Sequence, residues 1–274
     1  MRALHARLTA VSLGLALATT IACGPADAKS VYLISRTDSS PTPVAAYDLL
    51  PAPAHLALQY QTSMPRVGTA ATVLAIDATT NRLLIANSGT PQLQVMNPTT
   101  LRAVGTVTAS GMTEIAALAI DGPRGRVYAL ESDTNRLFVY AWDPLTPALT
   151  PDGGGPRALQ DIGLGRALAL DAQRGRLYVG DRSSLLVRYY DTGSFALAGS
   201  VDLTPAGQTV TTLAVDAARN RIYAGNGDAA TGSLSRVVMF DIGASTGIFR
   251  ELPAPAVGDH VVSMAFDSDR AQLY

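Results

Sequence analysis

The sequence has few of the residue types that build disulfide scaffolds and metal centres. It contains one cysteine, Cys23, and three histidines among 274 residues, and charged residues make up 16% of the chain. A single cysteine cannot form an intramolecular disulfide, and His55 and His260, the histidines beyond the signal-like N-terminus, lie far apart. Neither a disulfide framework nor a zinc or haem ligand set is therefore expected.

The charge balance also excludes a class of partner. The formal net charge is -1, and the sequence contains no run of lysine or arginine. A protein that binds a phosphate backbone needs a basic surface, so nucleic acid is not an expected partner. The hydrophobic share of 47% is ample for a folded core.

Signatures of catalysis and nucleotide binding are missing as well. The chain has no Gly-x-Ser-x-Gly nucleophile elbow, and Gly163-Leu164-Gly165 precedes a predicted strand, whereas a dinucleotide site precedes a helix. Glu131, Asp133 and Asn135 alternate like the start of a calcium loop, but Arg136 replaces the glycine that an EF-hand needs. We expect no cofactor.

The first 28 residues are typical of an export signal. Arg2 and Arg7 precede an apolar stretch from Leu8 to Cys23 that is too short to span a bilayer stably. Two processing sites are open at this point. Ala26-Asp27-Ala28 fits ordinary signal cleavage, which we favour, whereas Thr20-Ile21-Ala22-Cys23 is similar to a lipobox.

The two processing sites have different consequences for the mature protein. Cleavage after Ala28 leaves residues 29–274 without a thiol, whereas the lipobox alternative ends the signal at residue 22 and attaches a lipid to Cys23. No second long apolar run follows, so the mature chain is predicted to have no transmembrane helix. We expect a periplasmic, secreted or cell-surface protein, lipid-anchored in the second alternative.

A short phrase recurs along the rest of the chain: a leucine or methionine, alanine, an apolar residue and aspartate. Its aspartates are 44 to 51 residues apart, a spacing within or just above that of four-stranded propeller blades. The five copies are Leu74 to Asp77, Leu118 to Asp121, Leu168 to Asp171, Leu213 to Asp216 and Met264 to Asp267.

Each copy opens a unit of four predicted strands, which we label A to D in chain order. Strand A holds the phrase, and strand B is a run of high β-propensity that follows it. Strand C ends in Asp or Asn, and a turn rich in Pro, Gly, Ser and Thr leads to a short strand D. Because a four-stranded sheet cannot cover both its faces alone, we predict an all-β fold: a β-propeller of four-stranded antiparallel blades.

The units set the expected domain boundaries. Residues 29–274 form the propeller domain, whose strand A for the first blade would fall inside the signal, so we expect the C-terminus to supply that strand. The chain is predicted to be a truncated copy of a protein with six or seven blades, and the alternative is a five-bladed ring closed by Val261 to Phe266. The blades are a partial one at 29–66, four at about 71–108, 115–162, 167–203 and 211–252, and an incomplete one at 261–274.

The B strands resemble a known repeat. Their segments are similar to Tyr-Val-Thr-Asn, the sequence that names the YVTN family of β-propeller repeats, although none is a perfect copy. The resemblance covers nearly all of residues 29–274 and implies an exported or surface-associated bacterial protein of seven blades, without catalytic residues to carry over. The matching segments are Leu84-Ile85-Ala86-Asn87, Tyr128-Ala129-Leu130-Glu131, Tyr178-Val179-Gly180-Asp181 and Tyr223-Ala224-Gly225-Asn226.

Polar residues at the ends of the B strands form the candidate ligand site: Asn87, Glu131, Asp181 and Asn226. They share one offset and are expected to cluster on the propeller face that carries the B–C and D–A loops, which we call the B–C/D–A face. Sites near the axis of a propeller are common, although turn formation explains the same residue types. No residue is predicted to be catalytic or to bind a metal.

Other conspicuous residues have structural interpretations. The aspartates of the phrase lie at the A–B hairpin, where aspartate caps a turn, and the arginine five residues later is expected to form an exposed ion pair of at most about 1 kcal/mol. Trp142 and Tyr140 alternate on one strand and are predicted to pack between blades. The arginines five residues after the aspartates of the first four copies are Arg82, Arg126, Arg176 and Arg221.

Two functions of different class follow from this pattern. The first is a non-enzymatic binding or scaffold protein that recognises a protein, peptide or glycan on the B–C/D–A face. The alternative is a calcium-dependent propeller hydrolase or lyase of the lactone-hydrolase type, with an axial calcium held by carboxylates and asparagine side chains of that face. We favour the first, because a well-formed repeat occurs here without a catalytic constellation.

Overall fold

The structure is a computed structural model. It describes residues 16–23, 29–36, 43–49, 56–63, 71–77, 80–87, 90–153, 155–203, 210–225, 237–242, 250–251, 263–267 and 272–273.

Four strands open the described part of the chain and pair in chain order as one antiparallel sheet. Each pairs only with its neighbour in sequence, as in a meander. They are β1 (Ala16–Cys23), β2 (Lys29–Arg36), β3 (Pro43–Leu49) and β4 (Leu56–Ser63).

The four complete repeat units form four further antiparallel sheets. Their first strands all end at the aspartate of the repeated phrase, and one short strand, β13, extends the second of these sheets beside β11. The strands are β5 (Ala71–Asp77), β6 (Arg82–Asn87), β7 (Gln92–Asn97), β8 (Arg102–Thr108); β9 (Ile115–Asp121), β10 (Arg126–Glu131), β11 (Arg136–Asp143), β12 (Ala148–Pro151), β13 (Arg157–Ala158); β14 (Gly165–Asp171), β15 (Arg176–Asp181), β16 (Leu186–Asp191), β17 (Leu197–Asp202); β18 (Thr212–Asp216), β19 (Arg221–Gly225), β20 (Val237–Asp241) and β21 (Arg250–Glu251).

The first strands of the sheets lie side by side around one axis. In ring order β1 contacts β5, and the contacts continue through β9, β14 and β18 to β22 (Phe266–Asp267), which in turn contacts β1. They surround a central channel of about 340 Å³. The fold is an all-β propeller of four-stranded antiparallel blades, so the predicted fold class is confirmed.

The core lies between neighbouring blades, because alternate residues of a strand face opposite sides of its sheet. Val127 of β10 packs toward the preceding blade and Tyr128 toward the following one. Leu177 and Tyr178 of β15 repeat this arrangement. All four side chains are fully buried, and burial of each stabilises the fold by about 1.5–3 kcal/mol.

Tight A–B hairpins place the inner strands. The fourth residue after each aspartate has a left-handed backbone, with φ between 55° and 61°, a conformation that glycine and asparagine adopt at least cost. This requirement explains why only these two residue types occupy the position in the four complete units: Asn81, Gly125, Gly175 and Asn220.

The arginine partners of the hairpin aspartates differ from the prediction. Asp121, Asp171 and Asp216 have fully buried side chains and pair with the arginine three residues later, Nη1 to Oδ2, at 2.7, 2.8 and 3.2 Å. The reason is the turn itself: the backbone N–H of the arginine three residues later donates to Oδ1 of each aspartate and so places its side chain beside Oδ2. Arg126 and Arg221 pair with Asp152 and Asp241 of their own blades. The three partners are Arg124, Arg174 and Arg219.

Two of these arginines also join neighbouring blades. Arg124 donates to the carbonyl of Ala172 at 3.0 Å, and Arg174 donates to the carbonyl of Ala217 at 2.9 Å. Ala172 and Ala217 each follow the hairpin aspartate of the next blade. The aspartate therefore positions an arginine that hydrogen-bonds to the next blade, a contact that we call the arginine staple.

The first sheet obtains its inner strand from a different place than predicted. Ala16–Cys23 pairs with Lys29–Arg36, whereas the C-terminal residues form a separate hairpin in which Phe266–Asp267 pairs with β23 (Gln272–Leu273). The reason is sequence proximity, since β1 reaches β2 through a short connection. The C-terminal strand thus follows β18 in the ring and does not close the first sheet.

Candidate functional site

Glu131 ends β10 on the B–C/D–A face, and its side chain is 1% exposed. One carboxylate oxygen accepts from the backbone N–H of Thr113 at 3.0 Å and from its hydroxyl at 3.1 Å. The other forms an ion pair with Arg136 at 2.9 Å. Since Thr113 lies in the loop that leads into strand A of this blade, Glu131 ties that loop to the end of strand B.

Asp181 likewise joins the D–A loop to the end of strand B in the next blade. Its carboxylate accepts from the backbone N–H groups of Gly163 at 3.0 Å and Leu164 at 3.1 Å, both in the D–A loop. The N–H and hydroxyl of Ser183 donate to it at 2.8 and 2.7 Å, and Arg188 lies 3.6 Å away. The carboxylate is thus surrounded by donors from two loops of one face.

These donors determine the protonation of Asp181. Burial alone raises the pKa of a carboxyl group, and it is the largest single influence here. The hydrogen bonds from Gly163, Ser183 and Leu164 together outweigh it and hold the pKa of Asp181 below its ordinary value. Asp181 is therefore a stable carboxylate rather than a proton donor at neutral pH.

The remaining predicted site residues differ in what the structure shows of them. Asn87 ends β6 with a side chain that is 3% exposed, and it lies opposite Ala71 in the strand register. Asn226 lies outside the described residues. Cys23, the predicted lipidation residue, ends β1 opposite Lys29. Direct ligand contact by the four polar residues stays a prediction, but for Glu131 and Asp181 the structure adds a loop-positioning role.

Backbone contacts within and between blades also join loops of the same face. The N–H of Leu159 donates to the carbonyl of Asn135 in the B–C loop of its own blade at 2.8 Å. At the other end of the same D–A loop, the N–H of Gly165, which opens the next blade, donates to the carbonyl of Thr134 in that B–C loop at 2.9 Å. Gly165 suits this approach, because a Cβ there would lie 2.9 Å from the Thr134 oxygen. These two loops thus interlock at the boundary between two blades.

Strand A has a repeated irregularity at its start, where it lines the end of the central channel on the B–C/D–A face. In three blades the register of strands A and B shifts by one residue near the start of strand A, leaving an unpaired bulge residue. The bulge residues are Thr72, Ala116 and Arg166, and Thr211 has the equivalent place in the next blade. Ala116, Arg166 and Thr211 line the channel.

Arg166 is the feature that sequence reasoning missed. It is the one charged residue among the described residues that line the channel. The signal was available as a comparison across repeats: five residues before the hairpin aspartate, the other complete units carry Thr, Ala and Thr. A single basic residue at a position that is otherwise small marks a local specialisation.

The described ranges lack two further features. Their His, Cys, Asp and Glu side chains form no group of three that could hold a metal ion. No helix in that part of the chain has the length and apolarity to cross a bilayer.

Comparisons with known proteins place the fold and not the activity. No family model and no curated protein sequence matches the chain. A solved structure described as "Crystal Structure of Mitotic Checkpoint Complex" contains a chain similar over 92% of this chain and 74% of its own, with 15% identity and a TM-score of 0.58. A second, "Crystal structure of a putative 6-phosphogluconolactonase from Bacteroides uniformis", is similar over 94% and 76%, with 14% identity and a TM-score of 0.62.

Proposed function

We propose that this chain is an exported propeller of the YVTN type that binds a protein, peptide or glycan at the mouth of its central channel on the B–C/D–A face. The observation that carries the proposal is a channel of about 340 Å³ beside which described loops of two neighbouring blades interlock. Binding sites are typically concave and already formed before the ligand arrives. The channel is concave, and the hydrogen bonds between the described loops beside it are formed without a ligand.

The state of the carboxylates supports a binding role over a catalytic one. Glu131 and Asp181 are almost fully buried, and each has an arginine and loop N–H groups as partners. A general base or calcium ligand needs free lone pairs directed at the reacting group. The lone pairs of these two carboxylates accept hydrogen bonds from the loops. This arrangement supports recognition by a fixed surface.

Array binding of the purified mature protein tests the proposal. The protein is labelled and applied to peptide and glycan arrays, and Leu164→Ser, on the D–A loop, is compared with Leu145→Ser, on the C–D turn of the other face. Both leucines are exposed, 39% and 85%, so neither substitution disturbs the core. We expect Leu164→Ser to weaken binding and Leu145→Ser to leave it unchanged.

Two results would count against the proposal. Binding that Leu145→Ser reduces as much as Leu164→Ser does would move the ligand off the B–C/D–A face. Calorimetric titration with calcium addresses the hydrolase alternative, which requires a stoichiometric site on the same face. A calcium site that enables hydrolysis of a lactone would replace the binding proposal with that alternative.

A further inference from the structure

The bulge at Arg166 directs one basic side chain to the mouth of the channel. Gly165 pairs with Asp181 and Ala167 pairs with Gly180, so Arg166 has no partner residue on β15. A bulge residue is turned out of the regular alternation and is often found beside binding sites. Arg166 is half-buried and lines the channel, as expected for such a residue.

Arg166 also has no ion-pair or hydrogen-bond partner among the described residues. The buried carboxylates of this face each have an arginine of their own: Glu131 pairs with Arg136, and Asp181 lies near Arg188. An unpaired, partly desolvated cation lowers stability unless an anion completes it. Its presence in an otherwise uncharged lining therefore points to a ligand.

We propose that Arg166 makes the channel mouth a binding site for an anionic oxygen group, a carboxylate or phosphate, on a small polar ligand. The guanidinium presents several N–H donors in a fixed plane that matches such a group in a two-point contact. Small neighbours leave room for it: Ala116 has the equivalent bulge position of the preceding blade, and the hydroxyl of Thr211 in the following blade donates to Gly225. The inference deepens the proposed function by assigning a ligand chemistry to the same face.

Matched sugars test the charge directly. Glucuronate and glucose differ in a carboxylate and a hydroxymethyl group, and inorganic phosphate supplies the other anion, so all three are titrated into the full mature protein by calorimetry and by NMR of the arginine side chains. We expect glucuronate or phosphate to bind and to shift the Arg166 guanidinium signal, and glucose to do neither. Arg166→Gln should weaken anion binding by about 10- to 100-fold, as loss of a charged hydrogen bond does, and Arg166→Lys should retain part of it.

The outcomes separate this inference from the proposed function. Arg166→Gln should keep or raise the wild-type Tm, because it removes an unpaired, partly desolvated cation, whereas a lower Tm would make Arg166 a structural residue and overturn the inference. Equal binding of glucose and glucuronate, or no anion binding at millimolar concentration, would overturn it too. If the arrays identify a ligand that Arg166→Gln still binds, the proposed function stands and the anion site falls. If glucuronate binds but no array ligand is found, the anion site stands and the proposed function falls.

Discussion

The indole Nε1 of Trp142 donates to the carboxylate of Asp77 at 3.0 Å, across the boundary between two blades. Both residues are buried. Asp77 differs from the other hairpin aspartates because Thr80, and not an arginine, stands three residues after it, and its N–H and hydroxyl both donate to the carboxylate. The tryptophan of the following blade thus takes the place that an arginine has in the other complete units.

We predict that Trp142→Phe destabilises the protein by about 1–3 kcal/mol, because it removes a buried hydrogen bond to a charged group and part of a packed side chain. The free energy of unfolding from urea titration measures the change. Val104→Ala, at an exposed position of β8, is the control and should change stability by less than about 0.5 kcal/mol. A Trp142→Phe variant as stable as that control would show that the contact contributes nothing.

The arginine staple yields a second prediction. Arg174 bonds both Asp171 of its own hairpin and the carbonyl of Ala217 in the next blade. Arg174→Ala should lower the free energy of unfolding by about 1–3 kcal/mol, since it leaves a buried carboxylate with fewer partners. Arg102→Ala provides the control, because Arg102 is exposed on β8. Equal thermal shifts for the two variants would contradict the staple.

The structure of a single blade could be predicted from the sequence, but the contacts between blades could not. The repeated phrase predicts strand A, the hairpin and the four-stranded sheet, because local propensity and alternation act within one repeat. The pairing of Trp142 with Asp77 joins residues 65 positions apart and depends on how closely two sheets approach. The partner of Asp121 was predicted at the wrong offset, because the turn places both the backbone N–H and the guanidinium of Arg124 on the carboxylate.

The loop-face carboxylate predicts a pH dependence. The pKa of Asp181 is lowered in the folded state, so its contribution to stability is present above the ordinary pKa of aspartate, about 3.9, and is lost as the pH falls through the folded value. Unfolding free energy measured between neutral pH and about pH 2 should therefore fall steeply at the acid end. Asp181→Asn should flatten this part of the curve.

A matched variant checks that the acid sensitivity belongs to Asp181. Asp133→Asn, on the B–C loop of the same face, removes a half-exposed carboxylate 4.0 Å from Arg182. It should leave the steep acid limb in place. If Asp133→Asn and Asp181→Asn flatten the curve to the same degree, the loop hydrogen bonds of Asp181 are not its cause.

The N-terminus sets the last prediction, because one segment matches both a predicted signal and a strand. Cleavage after Ala28 would remove Ala16–Cys23, and the first sheet would then keep β2 to β4, of which β2 contacts the inner strand β5. We predict that the exported protein begins at Lys29 and that Cys23→Ser is processed identically, as intact-mass measurement of the periplasmic fraction will show. A lipid-sized mass increment on Cys23, lost together with processing in Cys23→Ser, would select the lipobox instead. A chain that retains residues 1–28 in the cytoplasm would contradict export and leave β1 as the inner strand of the first blade.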